Sequence, residues 1–200
     1  MVTSAPRRIG VLALQGDVDA HRAVLARLGA DSVSVRAPAD LDGLDGLILP
    51  GGESTTIGLL LVASGLDQAI RDHVARRRLP LFGTCAGLIL LARTIKETPD
   101  QPHLAFLDVV IQRNAFGRQQ QSCEALVDAP SLGPEPIRAL FIRAPLITET
   151  GPDVDVLGRW NDRIVLVQQG PILAAAFHSE LTDDDRVHRY FLSRASRTRS

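Results

Sequence analysis

Cysteine is scarce in this 200-residue chain, which has only Cys85 and Cys123. Two thiols are too few for the disulfide framework of a secreted domain. Neither has a CxxC neighbour or a nearby histidine cluster that would point to zinc, so no metal is expected. A reducing, cytoplasmic setting is the expectation. A dominant charge is also lacking: the formal net charge is −1, which leaves no broad field to attract nucleic acid or an anionic membrane as a partner. Long hydrophobic runs are missing as well. The apolar run behind Arg7 and Arg8 stops at Leu14, shorter than a signal peptide's hydrophobic region and far shorter than a membrane span. With no internal repeat or linker, residues 1–200 are expected to form one domain with a core at about 8–193. The basic, Ser/Arg-rich residues 194–200 are expected to be a disordered tail.

What is present is an ordinary globular composition, 45% hydrophobic and 22% charged, in a chain long enough to bury a core without staples. Short buried runs at 9–14, 33–35, 46–49 and 79–82 alternate with helical patterns at 20–28, after Ser54 or Thr55 as a cap, at 66–78 and at 88–93. That alternation implies a parallel sheet. Strand-like pieces then follow at 109–112, 125–127, 139–143, 154–157, 164–168 and 172–177, before a last helix at about 184–193. The expected fold is α/β: a three-layer sandwich with a mostly parallel central sheet and an antiparallel extension.

Three segments carry chemistry. Gly83-Thr84-Cys85-Ala86-Gly87 follows a buried strand and opens a helix, as a G-x-S-x-G nucleophile elbow does, with sulfur in place of the hydroxyl. Such a turn strains the nucleophile's backbone, and its glycines are needed where a Cβ would strike the adjoining strand or helix. The same pattern fits a buried cysteine in a tight turn. His178-Ser179-Glu180 ends an apolar strand. If extended geometry persists through Ser179, His178 and Glu180 share a face and the carboxylate can orient the imidazole; an exposed strand-end histidine is the alternative. Pro50-Gly51-Gly52-Glu53-Ser54-Thr55-Thr56 is a glycine-rich break whose N–H groups suit an oxyanion or a phosphate. It lacks the Lys of a P-loop and the G-x-G-x-x-G of a dinucleotide site, and a plain tight turn also fits.

In this order the three segments resemble the triad-type class I glutamine amidotransferases. Leu12-Ala13-Leu14-Gln15-Gly16, Arg113-Asn114-Ala115-Phe116-Gly117-Arg118-Gln119, Phe141-Ile142-Arg143-Ala144-Pro145 and Phe177-His178 narrow the likeness to the glutaminase subunits of pyridoxal 5′-phosphate synthase, over about residues 9–192. The resemblance implies that Cys85 attacks the L-glutamine carboxamide, His178 acts as base and then acid, and Glu180 orients His178. It further implies an oxyanion hole from the N–H groups of Gly52 and Ala86, and glutamine binding by Gly52, Glu53, Ser54, Arg113, Ile142 and Arg143. No cofactor is implied. The implied partner is a separate, ring-forming TIM-barrel synthase subunit that receives the ammonia in a hetero-oligomer.

The chain departs from that family's pattern in a few places. Ser179 stands where Pro normally separates the His and Glu, and Ala20 replaces a Glu common in the first helix. Cys123 takes a position often aromatic and reads as packing. His21, His73, His103 and His188 read as surface or core histidines, His21 least clearly. One rival is an α/β-hydrolase, whose acid normally precedes the histidine in chain order, whereas Glu180 follows His178. Another is a regulatory subunit that kept the fold without the activity, with Ser179 as its main support.

Overall fold

The computed structural model describes residues 6–113 and 122–195. In its first half, short strands with near-continuous buried runs alternate with helices, as a sheet covered on both faces requires. These are β1 (Arg8–Leu12), α1 (Val18–Arg27), β2 (Asp31–Val35), β3 (Gly46–Leu49), α2 (Ser54–Ser64), α3 (Leu66–Arg77), β4 (Leu81–Thr84) and α4 (Ala86–Leu91). The second half supplies β5 (Ala92–Ile95), β6 (Leu107–Gln112), β7 (Ser122–Val127), β8 (Ile137–Ile142), β9 (Leu146–Thr150), β10 (Asp155–Trp160), β11 (Arg163–Gln169), β12 (Ile172–Ala175) and α5 (Arg186–Arg194).

The main sheet runs β2-β1-β3-β4-β12-β11-β9-β6-β5, with β10 added on β11. From β2 to β12 every neighbour is parallel. Beyond that, β11 is antiparallel to β12, β10 and β9, and β9 is antiparallel to β6. β7 and β8 form a separate antiparallel pair. Helices flanking a mostly parallel sheet with an antiparallel extension are the architecture expected from the pattern. The last strand to join the parallel set, β12, comes from the far end of the sequence, and this crossover brings residues near 178 beside the end of β4.

Several boundaries differ from the sequence reading. The helix expected at 88–93 starts at Ala86 and stops at Leu91, where Ala92 turns extended and opens β5. β5 and β9 were not anticipated, because each is short and only partly buried, below what a period-2 pattern can signal. α5 spans Arg186–Arg194, with Ala195 buried at its end, where a helix at about 184–193 is expected. Residues 114–119 of the Arg113-led motif and residues 196–200 of the expected tail lie outside the described residues. Cys123 packs against the core as expected.

Two close approaches fix the site's scaffold. The ring of Phe191 on α5 lies against Gly46 on β3 and 5.6 Å from Phe82 on β4. Gly87 of α4 lies directly against the Leu49 carbonyl of β3, where a Cβ would collide with backbone. Gly87→Ala should therefore lower stability by about 1–3 kcal/mol, the usual cost of overpacking a filled site. Urea unfolding followed by circular dichroism measures this, and a wild-type midpoint would contradict the packing described.

Candidate active site

Cys85 stands where β4 gives way to α4, and the chain turns there with φ 48° and ψ −100°. A positive φ on a residue with a side chain persists only where its surroundings impose it. The Cys85 N–H donates to the Ala175 carbonyl at 2.9 Å, carrying the β4–β12 pairing into the turn, while its carbonyl accepts from Ile89 N–H at 3.3 Å and starts the helix. A Cβ on Gly83 would lie 2.6 Å from the carbonyl carbon of Gly87. Both flanking glycines are thus demanded by backbone meeting backbone. Cys85 is 7% exposed, with Sγ 3.7 Å from the Ile142 carbonyl oxygen.

His178 lies just beyond β12, which ends at Ala175 and not at 177. The chain bends there, and His178 is pinned by an isolated bridge to β8, its N–H donating to the Leu140 carbonyl at 2.8 Å. The bend, rather than strand alternation through Ser179, brings His178 Nδ1 to 2.7 Å from Glu180 Oε1. Both side chains are buried. Ser179, where the resemblance expects Pro, is also buried, and its carbonyl accepts from Thr182 Oγ1 at 3.0 Å.

Charge is distributed unevenly across this pair. Burial alone would depress the His178 imidazole, but its hydrogen bonds to the Cys85 side chain and to Glu180 raise it to about 10. Burial alone would raise Glu180, yet the facing His21 and the His178 hydrogen bond hold it at about 2. An imidazolium beside a carboxylate is the state these contacts favour at neutral pH. Asp17 Oδ2 is 3.5 Å from His178 Nδ1. Asp17, His178 and Glu180 form a cluster of metal-ligand type, with donor atoms within 4.8 Å of one another. His178 and Glu180 are already engaged with each other, which does not suit a metal.

Cys85 and His178 open onto a cavity of about 390 Å³, and Gly52, Glu53, Ser54, Arg113, Ile142 and Arg143 line it with them. Every residue singled out for glutamine therefore converges on one space. Glu180 does not line it; Ala86 is the first residue of α4, next to the sulfur.

The loop carrying Gly52 is held by the turn after β1. Asp17 N–H donates to the Gly51 carbonyl at 3.1 Å, and Glu53 N–H donates to Gln15 Oε1 at 2.8 Å. Gly16 has φ 108° and packs on the Gly51 carbonyl, and a Cβ on Gly52 would lie 2.5 Å from Gln15 Oε1. The cap of α2 is Glu53, not Ser54 or Thr55: its carboxylate accepts from Thr55 N–H at 3.1 Å and Thr56 N–H at 2.7 Å. Partial burial opposes the charge, but these donors hold the carboxyl at about 2. Arg113 is seated on the same helix start, 3.2 Å from Glu53 Oε1, 2.7 Å from Gln101 Oε1 and 3.1 Å from Thr55 Oγ1. Arg143 is exposed, with φ 44°. Ser54 Oγ is buried without a hydrogen-bond partner among the described residues.

Sequence reasoning did not assign roles to Gln15, Asp17, Thr84 and Gln101. The first three lie in or beside motifs already singled out, so their proximity was the available signal. His21 and His188 are core histidines, as allowed, but they touch: His21 Nδ1 is 2.9 Å from His188 Nε2, and His21 Nε2 is 3.5 Å from Glu180 Oε1. His73 and His103 stay away from the cavity, beside Asp42 and the Gln101 carbonyl respectively.

Comparison with known proteins fits this geometry. The pyridoxal 5′-phosphate synthase subunit PdxT of Pelotomaculum thermopropionicum is 53% identical over 190 residues, covering 95% of this chain and 96% of that protein. The subunit of the same name from Thermus thermophilus is 52% identical over 187 residues, covering 94% and 97%. A solved crystal structure of a glutamine amidotransferase superposes with a TM-score of 0.90 at 49% identity, covering 94% of this chain and 98% of that one. The model of the SNO glutamine amidotransferase family matches residues 11–197, and the chain belongs to that family.

Proposed function

We propose that Cys85, His178 and Glu180 form the triad with which this glutamine amidotransferase hydrolyses L-glutamine to L-glutamate and ammonia. The observation that carries the reading is that His178, hydrogen-bonded to the buried Glu180, opens together with Cys85 onto a single cavity. Cys85 Sγ, its proton taken by His178, attacks the side-chain carboxamide carbon. His178 returns that proton to the departing nitrogen, ammonia leaves, and a γ-glutamyl thioester remains. Water, deprotonated by His178, then attacks the thioester; the C–S bond breaks and glutamate departs. Glu180 holds the ring and stabilises the imidazolium throughout. The N–H groups of Gly52 and Ala86 receive the oxyanion. These steps use only the chain's own residues.

Glu53, ionised well below neutral pH, suits the substrate's ammonium group. The exposed Arg143 and the buried, unpartnered Ser54 hydroxyl suit its carboxylate, while Arg113 is largely occupied in bracing the start of α2. Ile142 and Gly52 shape the wall. The relatives are named as subunits of pyridoxal 5′-phosphate synthase, which supports a partner synthase subunit; the sequence resemblance further implies that this partner is a separate, ring-forming TIM barrel that receives the ammonia in a cytoplasmic hetero-oligomer. Among the described residues no helix is long and apolar enough to cross a membrane.

With the synthase subunit present, Cys85→Ala should lower glutamate release by at least about 1,000-fold while calorimetry still detects glutamine binding. Turnover near the wild-type rate would contradict the assignment. Glu180→Gln should lower kcat on the order of 10²–10⁴-fold by releasing the ring. It also carries a pH signature. A carboxyl held at about 2 when folded, against an ordinary 4.5, lends stability above 4.5 that fades as pH falls toward 2. The gap in urea midpoint between wild type and Glu180→Gln should accordingly be widest above that window and narrow within it; a gap unchanged by pH would contradict the ion-paired carboxylate.

A further inference from the structure

We infer that His21 and His188 are positioning residues that fix Glu180 through a one-way run of hydrogen bonds, from His188 to His21 to Thr84 to Glu180. The inference rests on the triad reading above. α1 supplies His21, α5 supplies His188, and the last residue of β4 supplies Thr84. Both rings and Thr84 are fully buried. His21 Nδ1 lies 2.9 Å from His188 Nε2, and His21 Nε2 lies 3.1 Å from Thr84 Oγ1. Thr84 Oγ1 lies 3.4 Å from Glu180 Oε1, the oxygen that also holds His178. Phe82 fixes both rings edge-on, at 6.2 Å from His21 and 5.4 Å from His188.

The direction of donation follows from the two ends. His188 Nδ1 is buried without a partner among the described residues. If His188 Nε2 accepted the bond, its proton would sit on Nδ1 as an orphaned buried N–H, which folded proteins avoid more strictly than an unused acceptor. At the other end, a bare His21 Nε2 would turn its lone pair toward the Glu180 carboxylate, 3.5 Å away. Both objections vanish when His188 Nε2–H donates to His21 Nδ1 and His21 Nε2–H donates to Thr84 Oγ1. The Thr84 hydroxyl then gives its proton to Glu180. Burial keeps both rings neutral, lowering His21 and driving His188 to about 3. Glu180, His178 and Asp17 are the titratable groups facing His21, and Glu180, Arg27 and the neutral His21 ring those facing His188. The C-terminal helix thereby sets the orientation of a carboxylate through His21 and Thr84.

Long-range ¹⁵N–¹H spectra of the full chain, labelled in its imidazoles, read the tautomers without any need for turnover. The expected result is protonation of His21 and His188 at Nε2 alone at neutral pH; a proton on Nδ1 of either ring would overturn the inference. In assays with the synthase subunit, His188→Phe should lower kcat by about tenfold or more with KM unchanged, the scale typical of an outer hydrogen-bond partner. His188→Gln, whose amide N–H can replace Nε2–H, should restore most of it. Wild-type kcat in His188→Phe, or no rescue by His188→Gln, would overturn the proposal. Should His188→Phe fail to fold, the wild-type tautomers still decide. Turnover by Cys85→Ala would remove the triad reading instead, and leave the tautomers as measured.

Discussion

The backbone of α4 rests directly on the backbone of β3, and the rest of the site depends on that contact. With no side chain at Gly87, the helix approaches the Leu49 carbonyl closely enough that the connection from β4 must turn within one residue. Cys85 is that residue, and its positive φ presents the sulfur at the cavity wall instead of in the core. The same turn uses the Cys85 N–H to continue pairing with β12. The strand that leads to His178 is thereby registered against the strand that leads to Cys85, although they lie far apart in sequence.

A second constraint joins the glycine loop after β3 to the turn after β1. Gln15 and Gly16 lie directly against Gly51 and Gly52, leaving no room for a side chain at either Gly16 or Gly52, and Gln15 is hydrogen-bonded to Glu53 N–H. Glu53 emerges from this contact already capped onto α2 and already charged, with Arg113 from the end of β6 braced against it. Glu53 and Arg113 at the cavity wall are held by contacts between themselves and with Gln15, so on the proposed reading they need little reorganisation when substrate enters.

Legibility in the sequence followed distance along the chain. The elbow, the glycine loop and the His-x-Glu pair are local, and their glycines and spacings report local backbone demands that any reader can test. The alternation of buried runs with helices gave the parallel half of the sheet for the same reason. The contact between His21 and His188 spans 167 positions, and no spacing signals it. Glu53 was passed over as a cap because Ser54 and Thr55 beside it are commoner there. Alternation would place His178 and Glu180 on one face only if the strand persisted through Ser179; it ends at Ala175, and a bend held by Leu140 brings them together. Ser179 is accommodated in that bend without the fixed φ of proline.

The central claim is that one sulfur carries the glutamyl group. Rapid acid quench of the complex during glutamine turnover, followed by peptide mass analysis, tests it most directly. The account expects a γ-glutamyl adduct on the peptide containing Cys85 that appears and decays with turnover. Continued glutamate production with no adduct there, or with the label on Cys123, would contradict it.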